Sequence, residues 1–389
     1  MLHGLIQRVS QRLLVVGVAG LLSLNLQAQV MIPAPPQLAA TSWILMDAHS
    51  GRILAEHNAD ERLAPASLTK MMTSYLLEYE IKQGNVSLDE MVTVSEKAWR
   101  MPGSRMFIEV GTQVSVEDLL RGVIIQSGND ASVAVAEHLA GSESAFADLM
   151  NQHARQMGMM NSNFTNSSGL PDPNLYSTAR DMAILSRVKI LEYPEHYSMY
   201  SEREFTYNNI RQSNRNRLLW RDASVDGLKT GHTTEAGYCL AASAVRNDMR
   251  LISVVMGARS DEGRTQESQK LLSYGFRYYE TLLLQEAFSL IDQPRIWQGV
   301  RDQLRVGLDS DLHVTLPRGH SERIQTEILY DSTLKAPIST GQVLGQFRVM
   351  LDGEVLAETP LRALESVEQA GFFKRLWHSL VMFVTGLFS

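Results

Sequence analysis

Ser67 and Lys70 place a hydroxyl and an amine three residues apart, where a helix is predicted to begin. On a helix, residues at this spacing share one face, with Cβ atoms roughly 5–6 Å apart, so the two side chains can meet. A serine is a weak nucleophile until a base takes its proton, and a lysine desolvated in a pocket can lose its own proton near neutrality. The pair therefore predicts a nucleophile and its base, although Ser-x-x-Lys also occurs by chance in surface helices.

The helix that would carry this pair has clear boundary signals. Pro65 suits a helix entry, and apolar residues follow at helical spacing with no Gly or Pro until Gly84. The first backbone N–H groups of a helix are unpaired, so they would favour the oxyanion that forms when Ser67 attacks a carbonyl.

A second motif, Ser127-Gly128-Asn129, lies between two predicted helices. The first would be capped by Ser115 and run to Ile125, and the second would span 131–139. Two polar side chains at such a junction can project into a cleft. An ordinary loop explains the tripeptide equally well when it is taken alone.

A third motif, Lys229-Thr230-Gly231, precedes two predicted strands, 237–245 and 250–256, which a turn at Asn247 and Asp248 would join. Gly231 would let a substrate backbone approach the strand closely. The alternative interpretation is a surface lysine on an edge strand.

Composition is that of a globular protein, with 389 residues, 44% hydrophobic residues and a net charge of −7. The charge excludes a strong basic field, so nucleic acid is not an expected partner. The single cysteine, Cys239, cannot form an internal disulfide and is interpreted as a buried apolar residue. The histidines and the cysteine do not have the spacing of zinc ligands, so no metal is expected. The sequence has no glycine-rich phosphate-binding loop, and no cofactor is expected.

The N-terminus has the pattern of a secretory signal peptide. Arg8 and Arg12 precede an apolar run from Leu13 to Leu26, and Ala28 offers a cleavage point. This run is shorter than the roughly 20 residues that a membrane-spanning helix needs. We therefore expect export, leaving a mature chain long enough for two domains.

Further along the chain, other elements are predicted from local patterns. A hairpin is expected over 42–47 and 52–56, strands over 91–94 and 106–110, and a helix over 265–284. From about residue 286, short strands with frequent turns predict a small antiparallel β-domain, at 312–316, 324–330, 343–350 and 355–357.

The C-terminal segment predicts an amphipathic helix. At 100° per residue, one half of this helix is apolar and aromatic, whereas Lys374, Arg375, His378, Ser379 and Thr385 occupy the other. Such a helix would lie in a membrane interface rather than cross it, the alternative being a helix packed on the β-domain. The apolar half comprises Phe372, Phe373, Leu376, Trp377, Leu380, Val381, Phe383, Val384, Leu387 and Phe388.

The order Ser-x-x-Lys, Ser-Gly-Asn, Lys-Thr-Gly, at separations of about 60 and about 100 residues, is shared by penicillin-binding proteins and class A β-lactamases. The sequence most resembles low-molecular-mass penicillin-binding proteins of the serine D-alanyl-D-alanine carboxypeptidase type. Residues around the three motifs, at 65–75, 126–131 and 225–233, and a fourth segment at 177–183, carry the resemblance.

The resemblance implies an α/β (α+β) catalytic domain with an antiparallel sheet flanked by helices, a smaller all-β domain, and a C-terminal amphipathic helix. Expected boundaries are 1–28 for the signal peptide, 29–285 for the catalytic domain, 286–364 for the β-domain and 365–389 for the anchor. The enzyme would lie on the periplasmic face of the inner membrane, peripheral through its terminal helix.

The resemblance also implies a mechanism. Ser67 would attack the penultimate D-alanine of a peptidoglycan pentapeptide stem, and Lys70 would take its proton, with a pKa lowered by burial and by the charge of Lys229. Ser127 would relay a proton to the leaving amine, and Asn129 would bind the acyl-side amide.

Other matched residues would bind the substrate. The backbone N–H groups of Ser67 and His232 would form the oxyanion hole, while Lys229, Thr230 and Gly231 line the carboxylate side. Arg264 is expected to bind the terminal carboxylate, because a guanidinium pairs with two oxygens. For Arg215, a place near the cleft and a structural ion pair are equal alternatives.

β-Lactams would acylate the same serine as inhibitors. The alternatives are a DD-endopeptidase or a weak β-lactamase on this fold, or a catalytically silent peptidoglycan-binding scaffold. A class A β-lactamase needs a glutamate to activate water, and only the segment 191–195 offers one superficially.

Overall fold

The computed structural model describes residues 32–386. The expected signal peptide, 1–28, lies outside the described residues, as do Leu387 and Phe388 of the expected terminal helix. The structure of residues 32–386 does not test the expected domain boundaries, which therefore stay predictions.

The first domain alternates helices with strands. In chain order its elements are β1 (Ser42–Asp47), β2 (Ile53–His57), α1 (Lys70–Lys82), β3 (Met91–Thr93), α2 (Glu96–Trp99), β4 (Gln113–Ser115), α3 (Val116–Arg121), α4 (Asn129–Ala140), α5 (Glu143–Gln156), α6 (Ala179–Glu192), α7 (Pro194–Tyr197), β5 (Glu204–Tyr207), β6 (Ile210–Ser213), α8 (Leu218–Arg221), β7 (Val225–Thr233), β8 (Gly237–Arg246), β9 (Met249–Ala258) and α9 (Asp261–Tyr278).

A five-stranded antiparallel sheet forms the centre of this domain, in the order β2-β1-β9-β8-β7. Along β1, Ile44 packs into the core on the side of α1 and α4, whereas Trp43 and Leu45 pack into the core on the side of α9. This alternation buries both faces of the strand, as expected for a sheet covered by helices on both sides. Strand β7 remains at the edge of the sheet, beside the start of α1.

Several sequence predictions are confirmed. The hairpin β1–β2 and the helix α1 form as expected, and Ser115 caps α3 by accepting a hydrogen bond from the Asp118 amide. The turn at Asn247 and Asp248 joins β8 to β9, with both residues at positive φ. Cys239 is fully buried.

Two predictions are wrong. The segment 106–110 is not a strand, because its amides are taken up by a side chain rather than by a neighbouring strand; β3 pairs with β4 instead. The helix expected over 265–284 ends at Tyr278, and the residues after it form a strand that pairs with the second domain. The backbone pairing of Tyr279–Gln285 with Leu312–Pro317 replaces the further helical turns that local periodicity suggested.

The second part of the chain is a β-domain followed by one helix. Its elements are β10 (Tyr279–Gln285), β11 (Val306–Gly307), β12 (Leu312–Pro317), β13 (Ile324–Tyr330), β14 (Val343–Leu351), β15 (Glu354–Ala363) and α10 (Phe372–Gly386). All of its strand pairs are antiparallel, and their inner faces enclose a separate apolar core.

The two domains meet through a polar joint. The Thr281 hydroxyl donates to the Asp47 carboxylate at 2.6 Å, and Arg52 donates to the Thr315 carbonyl, also at 2.6 Å. Beside these bonds, the rings of His49 and His313 stack with centroids 4.6 Å apart. The joint lies at the β1–β2 turn, away from the β7 edge of the sheet.

Candidate active site

Ser67 lies in a 3-10 turn, Ala66–Thr69, that leads directly into α1. The turn is held in an unusual conformation, with Ala66 at a φ of +48°. Two glycines allow close approach to it: a Cβ on Gly169 would be 1.9 Å from the Ala66 carbonyl oxygen, and one on Gly231 would be 3.2 Å from the Ser67 nitrogen. The turn that carries Ser67 therefore packs closely between the loop at Gly169 and strand β7.

Lys70 is fully buried one turn after Ser67. Its Nζ lies 3.3 Å from the Ser67 Oγ and donates to the Asn129 Oδ1 at 2.7 Å and to the Ser168 carbonyl at 2.6 Å. Burial, followed by the charge of Arg215, lowers the Lys70 pKa to about 7. A substantial fraction of this amine is therefore neutral near pH 7 and can accept a proton.

The second motif is placed by a tight change of direction between helices. A π-helical turn, Gly122–Gln126, ends at Ser127, which adopts the left-handed conformation with a φ of 62°, and α4 starts at Asn129. This geometry points the two side chains toward α1 and β7. Ser127 and Asn129 are both buried, and the Asn129 Nδ2 donates to the Pro102 carbonyl at 2.6 Å.

On β7, Lys229 completes a second pair of hydroxyl and amine. Its Nζ donates to the Ser127 Oγ at 2.8 Å and to the Thr230 carbonyl at 3.0 Å. Burial lowers the Lys229 pKa, and the charges of Lys70, Arg215 and Arg264 lower it further. The positive charge of Lys70 is among the causes that lower the Lys229 pKa, and the repulsion between the two buried amines is mutual.

The two arginines expected near the cleft are held differently. Arg264 is buried in the first turn of α9, where it donates to the Gly231 carbonyl at 2.9 Å and to the Cys239 carbonyl at 3.3 Å, and pairs with Asp261. Its buried Nε has no partner among the described residues. Arg215 is exposed at the rim, and within residues 32–386 no carboxylate forms an ion pair with it.

A single cavity of about 390 Å³ joins these groups. It brings together all the predicted site residues except the two lysines, which lie beneath its floor, bonded to Ser127 and Asn129. Among the described residues, the lining contains hydroxyls, backbone and two guanidiniums but no carboxylate, which suits an anionic ligand. The lining residues are Ser67, Gly103, Ser104, Ser127, Asn129, Ser168, Gly169, Leu170, Arg215, Thr230, Gly231, His232, Thr233 and Arg264.

Sequence reasoning missed two residues that support the site. The Asp130 carboxylate accepts the amides of Met106, Phe107 and Ile108 at 3.0, 2.9 and 3.4 Å, which holds the loop that carries Gly103 and Ser104. Ser168 supplies the carbonyl that binds Lys70. Asp130 directly follows Asn129, but nothing local in the sequence identifies its loop partners, and Ser168 acts through its backbone.

The β-lactamase alternative needs a glutamate at this cavity. Glu192 and Glu195, in the segment 191–195, do not line it. They lie at the end of α6 and in α7.

A serine beside a buried lysine of lowered pKa, a second hydroxyl–lysine pair and an arginine paired with a carboxylate, set at the edge of an antiparallel sheet, are the features of a serine enzyme of the acyl-transfer type. The chain belongs to the D-alanyl-D-alanine carboxypeptidase family, whose family profile matches residues 29–260. A second profile, that of the C-terminal domain of penicillin-binding protein 5, matches residues 279–369.

The chain is similar to carboxypeptidases along nearly its whole length. It is 48% identical to D-alanyl-D-alanine carboxypeptidase DacA of Haemophilus influenzae over 91% of this chain and 92% of that protein. It is 46% identical to DacC of Escherichia coli over 89% of each chain. These similarities confirm the family resemblance.

Solved structures agree with this placement. The crystal structure of penicillin-binding protein 5 from Haemophilus influenzae matches with a TM-score of 0.83 and 46% identity, over 87% of this chain and 100% of that chain. Penicillin-binding protein D2 from Listeria monocytogenes, solved in an ampicillin-bound form, matches with a TM-score of 0.57 and 31% identity, over 62% of this chain and 100% of that chain. The predicted fold class is confirmed.

Proposed function

We propose that the chain is a serine D-alanyl-D-alanine carboxypeptidase that removes the terminal D-alanine from peptidoglycan pentapeptide stems. The observation that carries the proposal is the buried Lys70 amine, with a pKa of about 7, beside the Ser67 hydroxyl. Family membership supports the substrate class. No cofactor enters the proposed reaction.

Acylation begins when neutral Lys70 takes the Ser67 proton as Oγ attacks the penultimate D-alanine carbonyl. The N–H groups of Ser67 and His232 stabilise the oxyanion, and Gly231 supports this role because it lets β7 approach the Ser67 turn. The proton that Lys70 has taken is then relayed through Ser127, which is bonded to Lys229, to the leaving D-alanine nitrogen. Water then hydrolyses the acyl-enzyme and restores Ser67.

Recognition of a free carboxylate follows from the charge of the cavity. Thr230 and the two arginines, Arg215 and Arg264, line the side where the terminal carboxylate binds, and the buried Lys229 adds positive charge beneath it. Asn129 binds the amide on the acyl side. β-Lactams, which also carry a carboxylate beside a reactive carbonyl, acylate Ser67 and act as inhibitors.

The experiment follows D-alanine release from a D-Ala-D-Ala-terminated peptide by the chain from Gln29 to Ser389, together with labelling by a fluorescent penicillin. Ser67→Ala should abolish both, whereas Ser310→Ala, at an exposed serine of the β-domain, should retain both. Labelling without release would favour the scaffold or an endopeptidase, and penicillin hydrolysis without peptide cleavage would favour a β-lactamase.

We further propose that α10 anchors the enzyme at the periplasmic face of the inner membrane. The apolar half of α10 faces solvent, with Phe373 85% exposed and Phe383 67% exposed, while His378 is buried against the β-domain. Among residues 32–386, no helix has the length and apolarity to cross a bilayer. A chain ending at Gly371 should stay in solution when the longer chain floats with lipid vesicles; equal flotation would contradict the anchor.

A further inference from the structure

The β-domain holds α10 in one orientation through the polar half of the helix. The Gln298 amide donates to the His378 Nδ1 at 2.8 Å, and the Gln298 side chain donates to the Ser379 hydroxyl at 2.9 Å. Lys374 pairs with Asp302 at 2.9 Å. Because these contacts fix the rotation of the helix, the apolar half faces outward and the segment 295–302 lies beside it.

That segment presents cationic and apolar groups next to the helix. We define Arg295, Trp297, Val300 and Arg301 as the headgroup patch. The Arg295 guanidinium lies 3.9 Å from the centroid of the Trp297 ring, and this ring packs edge-on against His378 of α10, with centroids 5.5 Å apart. Val300 is 54% exposed although it is apolar.

The two arginines of the headgroup patch are not equally available to bind an anion. Arg301 forms an ion pair with Glu365 at 2.7 Å, and the neighbouring Asp302 forms one with Lys374. Among the described residues, Arg295 forms no ion pair, although its charge contributes to lowering the Asp302 pKa, and its guanidinium lies over the Trp297 ring. A cavity of about 540 Å³ opens between Arg295, Arg301, Asp302 and Gln303. An unpaired guanidinium at such a cavity suits a phosphate group.

We propose that the headgroup patch binds the phosphates of anionic phospholipids, so that the β-domain itself makes a second contact with the membrane beside α10. Arg295 pairs with a headgroup phosphate, Arg301 supports it, and Val300 enters the interface next to the helix. The proposal rests on the proposed anchoring by α10, which brings this side of the β-domain to the lipid surface.

The two contacts have different lipid dependence. Burial of the apolar face of α10 favours binding to any bilayer. A basic residue near an anionic surface strengthens binding by about five-fold, and added salt screens this contribution. The headgroup patch therefore predicts a preference for anionic over neutral vesicles that depends on Arg295.

The test measures binding of the chain from Gln29 to Ser389 to vesicles of phosphatidylcholine, alone or mixed with phosphatidylglycerol. Arg295→Glu should weaken binding to the anionic vesicles by about five-fold or more and leave binding to neutral vesicles unchanged. Arg295→Lys, which keeps the charge, should retain the preference. The matched control is Arg155→Glu, a charge reversal at an exposed arginine of α5 far from α10 in the chain.

Equal weakening by Arg155→Glu, or an unchanged anionic preference in Arg295→Glu, would overturn the headgroup patch while leaving the anchor intact. Loss of binding to neutral and anionic vesicles alike in Arg295→Glu, with D-alanine release unchanged, would show that Arg295 only holds α10 in place, and would also overturn the patch. If the unsubstituted chain binds neither vesicle, the proposed anchor itself fails.

Discussion

Lys229 donates a 2.8 Å hydrogen bond to Ser127, while Lys70 lies 3.3 Å from Ser67. Ser67 and Ser127 thus each have a lysine amine of their own, one from α1 and one from β7. The two buried amines repel each other, which favours one neutral and one charged lysine. This division matches a reaction in which one amine takes a proton and the other supports proton delivery.

The Lys70 pKa sets the pH dependence of acylation. Because the amine must be neutral to accept the Ser67 proton, the acylation rate should rise about ten-fold per pH unit below pH 7 and level off above it. Arg215→Gln removes a nearby positive charge, so the Lys70 pKa should rise and the inflection should move to higher pH. Stopped-flow measurement of penicillin acylation gives the pH of the inflection, which Arg155→Gln, the control, should leave unchanged. An inflection that moves to lower pH in Arg215→Gln would contradict the role of Lys70 as the base.

Gly231 controls how closely β7 approaches the Ser67 turn. A Cβ there would be 3.0 Å from the Pro65 carbonyl oxygen and 3.2 Å from the Ser67 nitrogen, so Gly231→Ala should push the strand away and widen the oxyanion hole. Losing one oxyanion donor costs on the order of 10²–10³ in rate, so kcat should fall by about 10². Gly371→Ala, where no atom lies within 4 Å of the added Cβ, is the control. Unchanged kcat in Gly231→Ala would argue against this oxyanion hole.

Asp130 is expected to matter for stability and for the shape of the cavity. Asp130→Ala would leave the buried amides of the 106–108 loop unpaired, which should lower the free energy of unfolding by about 3 kcal/mol and slow acylation. Urea unfolding and penicillin labelling measure the two effects. Asp89→Ala, at an exposed carboxylate, should change neither quantity. An equal loss of stability in both variants would contradict the role of Asp130 in holding the 106–108 loop.

Glu78 and Lys189 form a fully buried ion pair between α1 and α6, at 2.6 Å. Glu78→Ala would leave a buried charge without its partner, so the free energy of unfolding should fall by about 3–5 kcal/mol. The double variant Glu78→Leu with Lys189→Met removes both charges and should recover most of that loss. Denaturant unfolding of the single and double variants gives the comparison, and equal losses in the two would contradict a charge-based effect.

The sequence alone determined the local elements and the motif residues. Apolar periodicity predicted α1, Ser115 predicted a helix cap, and short strand-like runs between turn residues predicted the β-domain, because these signals depend on neighbours in the chain. The order of the three motifs was enough to identify the family, which the relatives then confirmed.

Only the tertiary structure decided which side chains meet. The segment 106–110 has strand-forming residues, but the Asp130 carboxylate takes its amides, and the strand at Tyr279 follows from a pairing with β12. The low pKa of Lys70 depends on burial and on Arg215, which lies on a distant segment of the chain. Burial, long-range charge and partner choice arise from contacts between remote segments, and local sequence patterns do not encode them.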